Sequence, residues 1–185
     1  MRHNETTMTF KHGISPVPAP LWGKNMRKIM TATEWIKLRA SIIDERGMCC
    51  ETCGKKLAAS KQIMAHEDWD YDASTKPAVA KLIKIQLSCW HCHAIEHFGG
   101  MTNIVSDGGL SMQAIVDTIA HFCLINSATE PDFRQHHSEV MANWDEMNKL
   151  SWVIDWGVYS EWVANNFEGD PFSSPRISAP VKARN

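Results

Sequence analysis

Two Cys-x-x-Cys pairs, Cys50–Cys53 and Cys89–Cys92, constrain the fold of this chain more than any other feature of its sequence. The two thiols of each pair are spaced to bind one metal ion, and residues 54–88 separate the pairs by about the length of a hairpin. Together the pairs supply a closed set of four sulfur ligands, which is typical of a structural zinc site. The sequence therefore predicts one structural zinc bound by Cys50, Cys53, Cys89 and Cys92.

The two remaining cysteines fit a metal site less well. Cys49 adjoins Cys50 but has the wrong spacing to Cys53, so we interpret it as a small buried residue. Cys123 falls on the apolar face of a predicted helix and is interpreted as part of the core. The N-terminal residues lack the apolar stretch of a secretion signal, and no apolar run approaches the roughly 20 residues of a membrane helix. We therefore expect a cytoplasmic, reducing setting without membrane contact, in which cysteines bind metal more often than they form disulfides.

The spacing of apolar residues predicts an α+β chain. A Thr-capped amphipathic helix is expected at 33–45, and two strands joined by the loop "DASTKP" are expected within residues 61–88. The acidic stretch "EDWDYD" before that loop is interpreted as a turn with exposed carboxylates, and an oxygen cluster for calcium is the alternative. A short helix should follow Cys92 and end at Gly99–Gly100.

The C-terminal half reads mainly as helix. The stretch "GLSMQAIVDTIAHFCLIN" predicts a helix whose apolar face carries Met112, Ile115, Val116, Ile119, Phe122 and Cys123. A second helix is expected behind Pro131. The aromatic and β-branched segment 151–167 is compatible with a strand, a helix, or one after the other.

Charge is distributed unevenly along the chain. Residues 24–84 contain 12 Lys and Arg against 8 Asp and Glu, whereas residues 96–170 contain 2 against 12. Proteins that bind DNA usually present a basic face, because contacts to phosphate supply much of the affinity. Only the first of these two segments offers such a face, and the acidic segment would instead suit a basic protein partner.

If four cysteines hold the zinc, several histidines remain free for a second site. His93 and His97 are four positions apart on a predicted helix and therefore share a face. His66 is expected near the end of the first strand, which the zinc would bring over that helix. The three imidazoles are predicted to bind a second divalent cation, namely Mg, Mn, Ni or Zn. In the alternative interpretation, His66 bonds to the backbone or to Asp70, and His97 stabilises a helix C-terminus.

Residues 47–98 resemble the HNH, or ββα-metal, endonuclease family. The likeness rests on the first Cys-x-x-Cys, on a strand with a histidine next to an acid, on a second strand, and on "LSCWHCHAIEH". It implies a small ββα zinc-stapled, treble-clef-like core with flanking helices. It also implies DNA hydrolysis, with His66 as general base, or as a ligand with Glu67 as base, and with His93 and His97 holding the cation.

Two positions depart from the pattern of that family. Ala65 occupies a position where many members carry an acid, and Lys84 falls where they carry the middle Asn that orients the base. A second hypothesis therefore stands beside the nuclease, namely a catalytically inactive HNH-like zinc module that binds or inhibits a protein through its acidic C-terminal half. Oligomeric state is left open by the sequence.

Four segments describe the expected organisation of the chain. An extended N-terminal arm is predicted at 1–23, and the HNH-like zinc domain at 24–100. A mainly helical extension is predicted at 101–168, followed by a disordered tail at 169–185.

Overall fold

The computed structural model of the chain describes residues 10–177 and has a mixed α+β architecture. In chain order these residues form α1 (Met26–Ile29), α2 (Ala32–Arg46), β1 (Ile63–Asp72), β2 (Ala78–Cys89), α3 (Trp90–Glu96), α4 (Phe98–Ser106), α5 (Gln113–Asn126), α6 (Glu130–Met147), β3 (Trp152–Asp155) and α7 (Ser160–Asn166). The α+β class predicted from the sequence is confirmed. Residues 1–9 of the predicted arm and 178–185 of the predicted tail lie outside the described residues, and the four segment boundaries stay predictions.

The three strands form one sheet in the order β1-β2-β3. The third strand pairs with β2 in parallel, from Ala78 opposite Trp152 to Lys81 opposite Asp155. The two aromatic residues of β1, Trp69 and Tyr71, are two positions apart and therefore lie on the same face of the strand. Trp69 packs at 5.8 Å from Trp156, and Tyr71 at 5.7 Å from Trp152, measured between ring centroids.

One compact unit consists, among the described residues, of 10–17, 48–64 and 87–146. Its core contains the fully buried Phe122 and Ile95, with Phe98 and Phe133 packed edge-on against their neighbours. The extended segment 10–17 lies along this core and is held by hydrogen bonds to side chains. His12 and Asn126 exchange two of them, and the backbone N–H of Ile14 donates to Nε2 of His136 at 3.0 Å.

The other unit consists of residues 18–47, 65–86 and 147–177. Met26 and Leu82 are fully buried in its core, beside Trp156, Val163 and Phe167. The turn that follows β3 passes so close to β2 that a Cβ atom at Gly157 would lie 2.0 Å from the carbonyl oxygen of Leu82. Only glycine fits there, and its φ of +53° is also one that other residues rarely adopt.

Several local expectations are corrected by the structure. The stretch "EDWDYD" is not a turn, because its aromatic residues pack against Trp152 and Trp156 and extend β1 to Asp72. The helix after Cys92 ends at Glu96 with a kink at His97, and α4 then runs through Gly99–Gly100. The predicted apolar face of α5 is confirmed in part, because Phe122 is buried and Ile115, Ile119 and Cys123 pack against the core. Met112 and Val116 are 68% and 54% exposed, whereas Thr118 is buried and bonds to the carbonyl of Ala114.

The segment 151–167 resolves the alternatives that its sequence left open. It forms the strand β3, a short 3₁₀ turn at Gly157–Tyr159 and then α7. At the end of the predicted N-terminal arm, the side chain of Leu21 is buried, whereas that of Trp22 is 64% exposed.

An ion pair fastens the last described residues to α2. Arg176 donates from Nη2 to both carboxylate oxygens of Glu34, at 2.9 and 3.0 Å, and lies over the rings of Trp162 and Phe167. Glu34 also accepts from the backbone N–H of Thr31, in a capping box that begins α2. The hydrogen bond from Arg176 is the main reason that the pKa of Glu34 falls to about 2.

We expect this pair to make the stability of the protein depend on pH below about 4.5. The folded pKa of Glu34 is lower than its ordinary value of 4.5, so its contribution is complete above that pH and is lost as the pH falls toward 2. Because about a third of the side chain is exposed, solvent screens the pair, and the loss should be about 1 kcal/mol. Urea unfolding of wild type and Glu34→Gln at pH 7 and pH 3 measures it.

The variant Glu45→Gln is the matched control, because it removes the same charge from an exposed position of α2. Glu34→Gln should reduce the difference in unfolding free energy between the two pH values, and Glu45→Gln should not. Equal pH dependence in all three proteins would contradict the assignment.

Candidate metal centre

The first cysteine pair is shaped by a tight turn. The backbone N–H of Gly54 donates to the carbonyl of Cys50, and the N–H of Cys50 donates to the carbonyl of Lys55, both at 2.9 Å. Gly54 adopts a φ of +75°, which its lack of a side chain permits. Glu51 joins this turn to the end of β2 by two hydrogen bonds with the backbone of Leu87.

The second pair stands where a strand becomes a helix. Cys89 is the last residue of β2 and precedes α3, and Cys92 lies in the first turn of that helix. Both side chains are buried, at 2% and 0% exposure. Apolar contacts from Leu57 and Ile125 surround the cysteines.

The four sulfur atoms lie close enough together to bind one metal ion. Those of Cys50, Cys53, Cys89 and Cys92 all lie within 4.8 Å of one another. The sulfurs of Cys53 and Cys89 are 3.8 Å apart. A tetrahedral zinc with Zn–S distances of about 2.3 Å separates its sulfurs by about 3.8 Å, so the spacing suits zinc. All six cysteines lie among the described residues and are free thiols.

Hydrogen bonds among these sulfurs change their acidity. Cys89 and Cys92 donate to Cys50 and lower the pKa of its thiol far below the ordinary value. The hydrogen bond with Cys50 raises the pKa of the Cys92 thiol. The hydrogen bond between Cys89 and Cys50 likewise raises the pKa of the Cys89 thiol, to about 11. Metal binding must displace the protons of those thiols that are still protonated.

Cys49 and Cys123 stand apart from the metal-binding group. The thiol of Cys49 lies 3.3 Å from the carbonyl oxygen of Gly54, and its side chain is partly exposed. Cys123 packs against the core around Phe122. Neither contributes a sulfur to the four-cysteine group.

His93 and His97 are a second set of candidate ligands and belong to the same compact unit, whereas His66 belongs to the other unit. His93 and His97 are one helical turn apart at the end of α3, and their ring centroids are 4.7 Å apart. Burial is the main cause that lowers the pKa of His93 to about 4, and burial also lowers that of His97. Both imidazoles are therefore neutral at pH 7, as metal ligands must be.

His66 and Glu67 both lie in the first half of β1. His66 is the fourth residue of the strand and lies near its start, because the strand continues to Asp72. Glu67 does not belong to either metal-binding group. Its carboxylate accepts from the backbone N–H groups of Met26 and Arg27, both at 3.2 Å, and burial raises its pKa.

Two further histidines contact Cys92, and neither is identified by a sequence pattern. Nε2 of His121, on α5, lies 3.2 Å from the sulfur of Cys92. Nε2 of His12 donates to the carbonyl oxygen of Cys92 at 2.9 Å, and its Nδ1 lies 3.8 Å from Glu96. These residues are 29 and 80 positions away from Cys92, so only tertiary structure reveals their role.

Within residues 10–177, no helix combines the length and the apolar character that a bilayer crossing requires. No family model matches the chain, and no curated protein or solved structure matches it either. The site is therefore interpreted from its own chemistry. Four converging cysteines make the chain compatible with a structural zinc.

Proposed function

We propose that this chain is a metal-dependent endonuclease of the HNH type, which hydrolyses phosphodiester bonds in DNA. In this proposal Cys50, Cys53, Cys89 and Cys92 bind a structural zinc, and His66, His93 and His97 bind a second cation. The observation that carries it is the pair of imidazoles at the end of α3, where the ring centroids of His93 and His97 are 4.7 Å apart, and His66 is proposed as their third partner. Three protein ligands that leave a position for water or substrate are typical of catalytic metal sites.

The arrangement of α3 supports a link between the two groups. Cys92 and His93 are consecutive residues, so a zinc that fixes the first turn of the helix also fixes the start of the histidine pair. The second member, His97, is the residue at which α3 ends. A strand supplies the third ligand, and strands and helices hold side chains more rigidly than loops do.

The donor set indicates which cation would bind. Imidazole nitrogens suit Zn and Ni, whereas Mg prefers carboxylate and water oxygens. When bound, a divalent cation lowers the pKa of a coordinated water and stabilises charge on a phosphate oxygen. The three histidines would hold the cation, and the lowered pKa values of His93 and His97 keep these two imidazoles neutral, which avoids repulsion with it. We assign no part in proton transfer to Glu67, because its carboxylate is engaged with the amides of Met26 and Arg27.

The proposed substrate class agrees with the local charge. Residues 24–84, which include His66, have 12 Lys and Arg against 8 Asp and Glu. A basic segment of this kind attracts the phosphate backbone without reading its sequence. The substrate is therefore proposed as duplex DNA of unspecified sequence.

The test is a plasmid-nicking assay on the zinc-loaded full chain, with Zn, Ni, Mn or Mg added in turn. Wild type should nick the plasmid. The variant His93→Ala should be slower by about 100-fold or more, because a metal that stabilises transition-state charge contributes several kcal/mol. Zinc content, measured on the same samples, should be unchanged.

His91→Ala is the control, since His91 lies on α3 but outside the group of three histidines. It should nick DNA at the wild-type rate. A wild-type chain that keeps its zinc and nicks with none of the four cations would overturn the nuclease. That result would favour the inactive zinc module, whose acidic C-terminal half binds a basic protein.

A further inference from the structure

The four-cysteine group has a neighbour that is not a ligand. His121 lies on α5 and points its Nε2 at the sulfur of Cys92, at 3.2 Å. Helices α3 and α5 pack against each other in the same unit, so this approach is built into its core. His121 is partly exposed, whereas Cys92 is fully buried.

The chemistry of a metal-bound sulfur fixes the direction of this contact. A cysteine that binds zinc has lost its proton, so its sulfur can only accept a hydrogen bond. The proton must therefore lie on Nε2 of His121, which donates it to Cys92.

A hydrogen-bond donor at a zinc-bound sulfur stabilises the negative charge of the site. Four thiolates around one Zn²⁺ leave a net charge of −2, and burying an uncompensated charge is unfavourable. Backbone N–H groups of Cys53 and Cys89 donate to the sulfur of Cys50, and the N–H of Cys92 donates to that of Cys89. His121 adds a side-chain donor at the sulfur of Cys92.

We propose that His121 is a positioning residue of the metal site, whose Nε2–H hydrogen bond holds the thiolate of Cys92 and strengthens zinc retention. This inference rests on the four-cysteine part of the proposed function and is independent of the nuclease activity. Replacing a residue that hydrogen-bonds to a metal ligand commonly weakens metal binding by about 10- to 100-fold.

The neighbouring His91 provides a matched control. Its ring centroid is 5.3 Å from that of His121, and it lies between two proposed ligands, Cys89 and Cys92. The ring of His121, and not that of His91, contacts the sulfur of Cys92. Replacing His91 changes the surroundings of the site while leaving the contact between His121 and Cys92.

The experiment compares wild type, His121→Ala, His121→Gln and His91→Ala as full chains. Zinc affinity is measured by competition with a chelator, and the sulfur-to-metal charge-transfer band is measured after substitution with Co²⁺. We expect His121→Ala to bind zinc about 10- to 100-fold more weakly and to shift the band to lower energy. Glutamine retains an N–H donor and should recover part of both effects, and His91→Ala should resemble wild type.

The outcomes separate the two claims. Wild-type affinity and an unshifted band in a folded His121→Ala variant would overturn the role of His121 alone. A wild-type chain that binds no zinc would overturn the metal site and this inference together. Circular dichroism of each variant establishes that it is folded, and alanine is favourable within α5.

Discussion

Replacing Cys50 by serine should abolish zinc binding, whereas replacing its neighbour Cys49 should leave zinc binding intact. The sulfur of Cys50 belongs to the four-cysteine group, and that of Cys49 lies beside the carbonyl of Gly54 instead. After dialysis we expect about one zinc per chain in wild type and in Cys49→Ser, and less than about 0.1 in Cys50→Ser. Elemental analysis of the purified proteins measures this directly.

The loss of zinc should also destabilise the chain strongly. Binding of a structural zinc is worth about 10 kcal/mol or more, which is comparable with the whole stability of a typical domain. The cysteines are buried beside Leu57 and Ile125, so losing the metal leaves this part of the core without its central contact. Cys50→Ser should unfold at much lower urea than Cys49→Ser. Equal zinc content and stability in the two variants would exclude the four-cysteine site.

Replacing Gly157 by alanine should lower the free energy of unfolding by about 3 kcal/mol or more. Two effects add. A Cβ at this position meets the carbonyl oxygen of Leu82 at 2.0 Å, so the backbone of the turn or of β2 has to move. The φ of +53° is in addition unfavourable for alanine, by about 1 kcal/mol. Urea unfolding monitored by tryptophan fluorescence measures the change.

Gly23→Ala separates the two effects. Gly23 has a φ of +76°, but a Cβ there would have nothing within 4 Å. This variant should therefore lose only the conformational part, about 1 kcal/mol. If both alanine variants lost the same free energy of unfolding, the close approach to Leu82 would not contribute to the loss at Gly157.

Local sequence patterns predicted the group of four cysteines, which is the part of the candidate site that depends least on the surrounding fold. The spacing of Cys50–Cys53 and Cys89–Cys92 is set by the geometry of a single turn, so it can be read without knowledge of the fold. The interval between His93 and His97 likewise follows from one turn of a helix. The mutual approach of the four sulfurs agrees with that prediction.

Positions that depend on distant contacts could not be predicted. The contacts of Glu67 are one example, because its carboxylate accepts from amides 40 and 41 positions away. The glycines at 99–100 were expected to end a helix, yet α4 continues through them around the core residue Met101. His121 lies on α5, and only the packing of that helix on α3 brings it to Cys92. Tertiary packing overrides local preference at each of these positions.

The parallel pairing of β2 with β3 has a consequence for the order of events during synthesis. It joins residues 78–81 to residues 152–155, and so closes a loop of about 70 residues, which is slow and entropically unfavourable. All seven proposed metal ligands lie within residues 50–97 and leave the ribosome before β3 does. A nascent chain can therefore capture its zinc while the sheet still lacks its third strand.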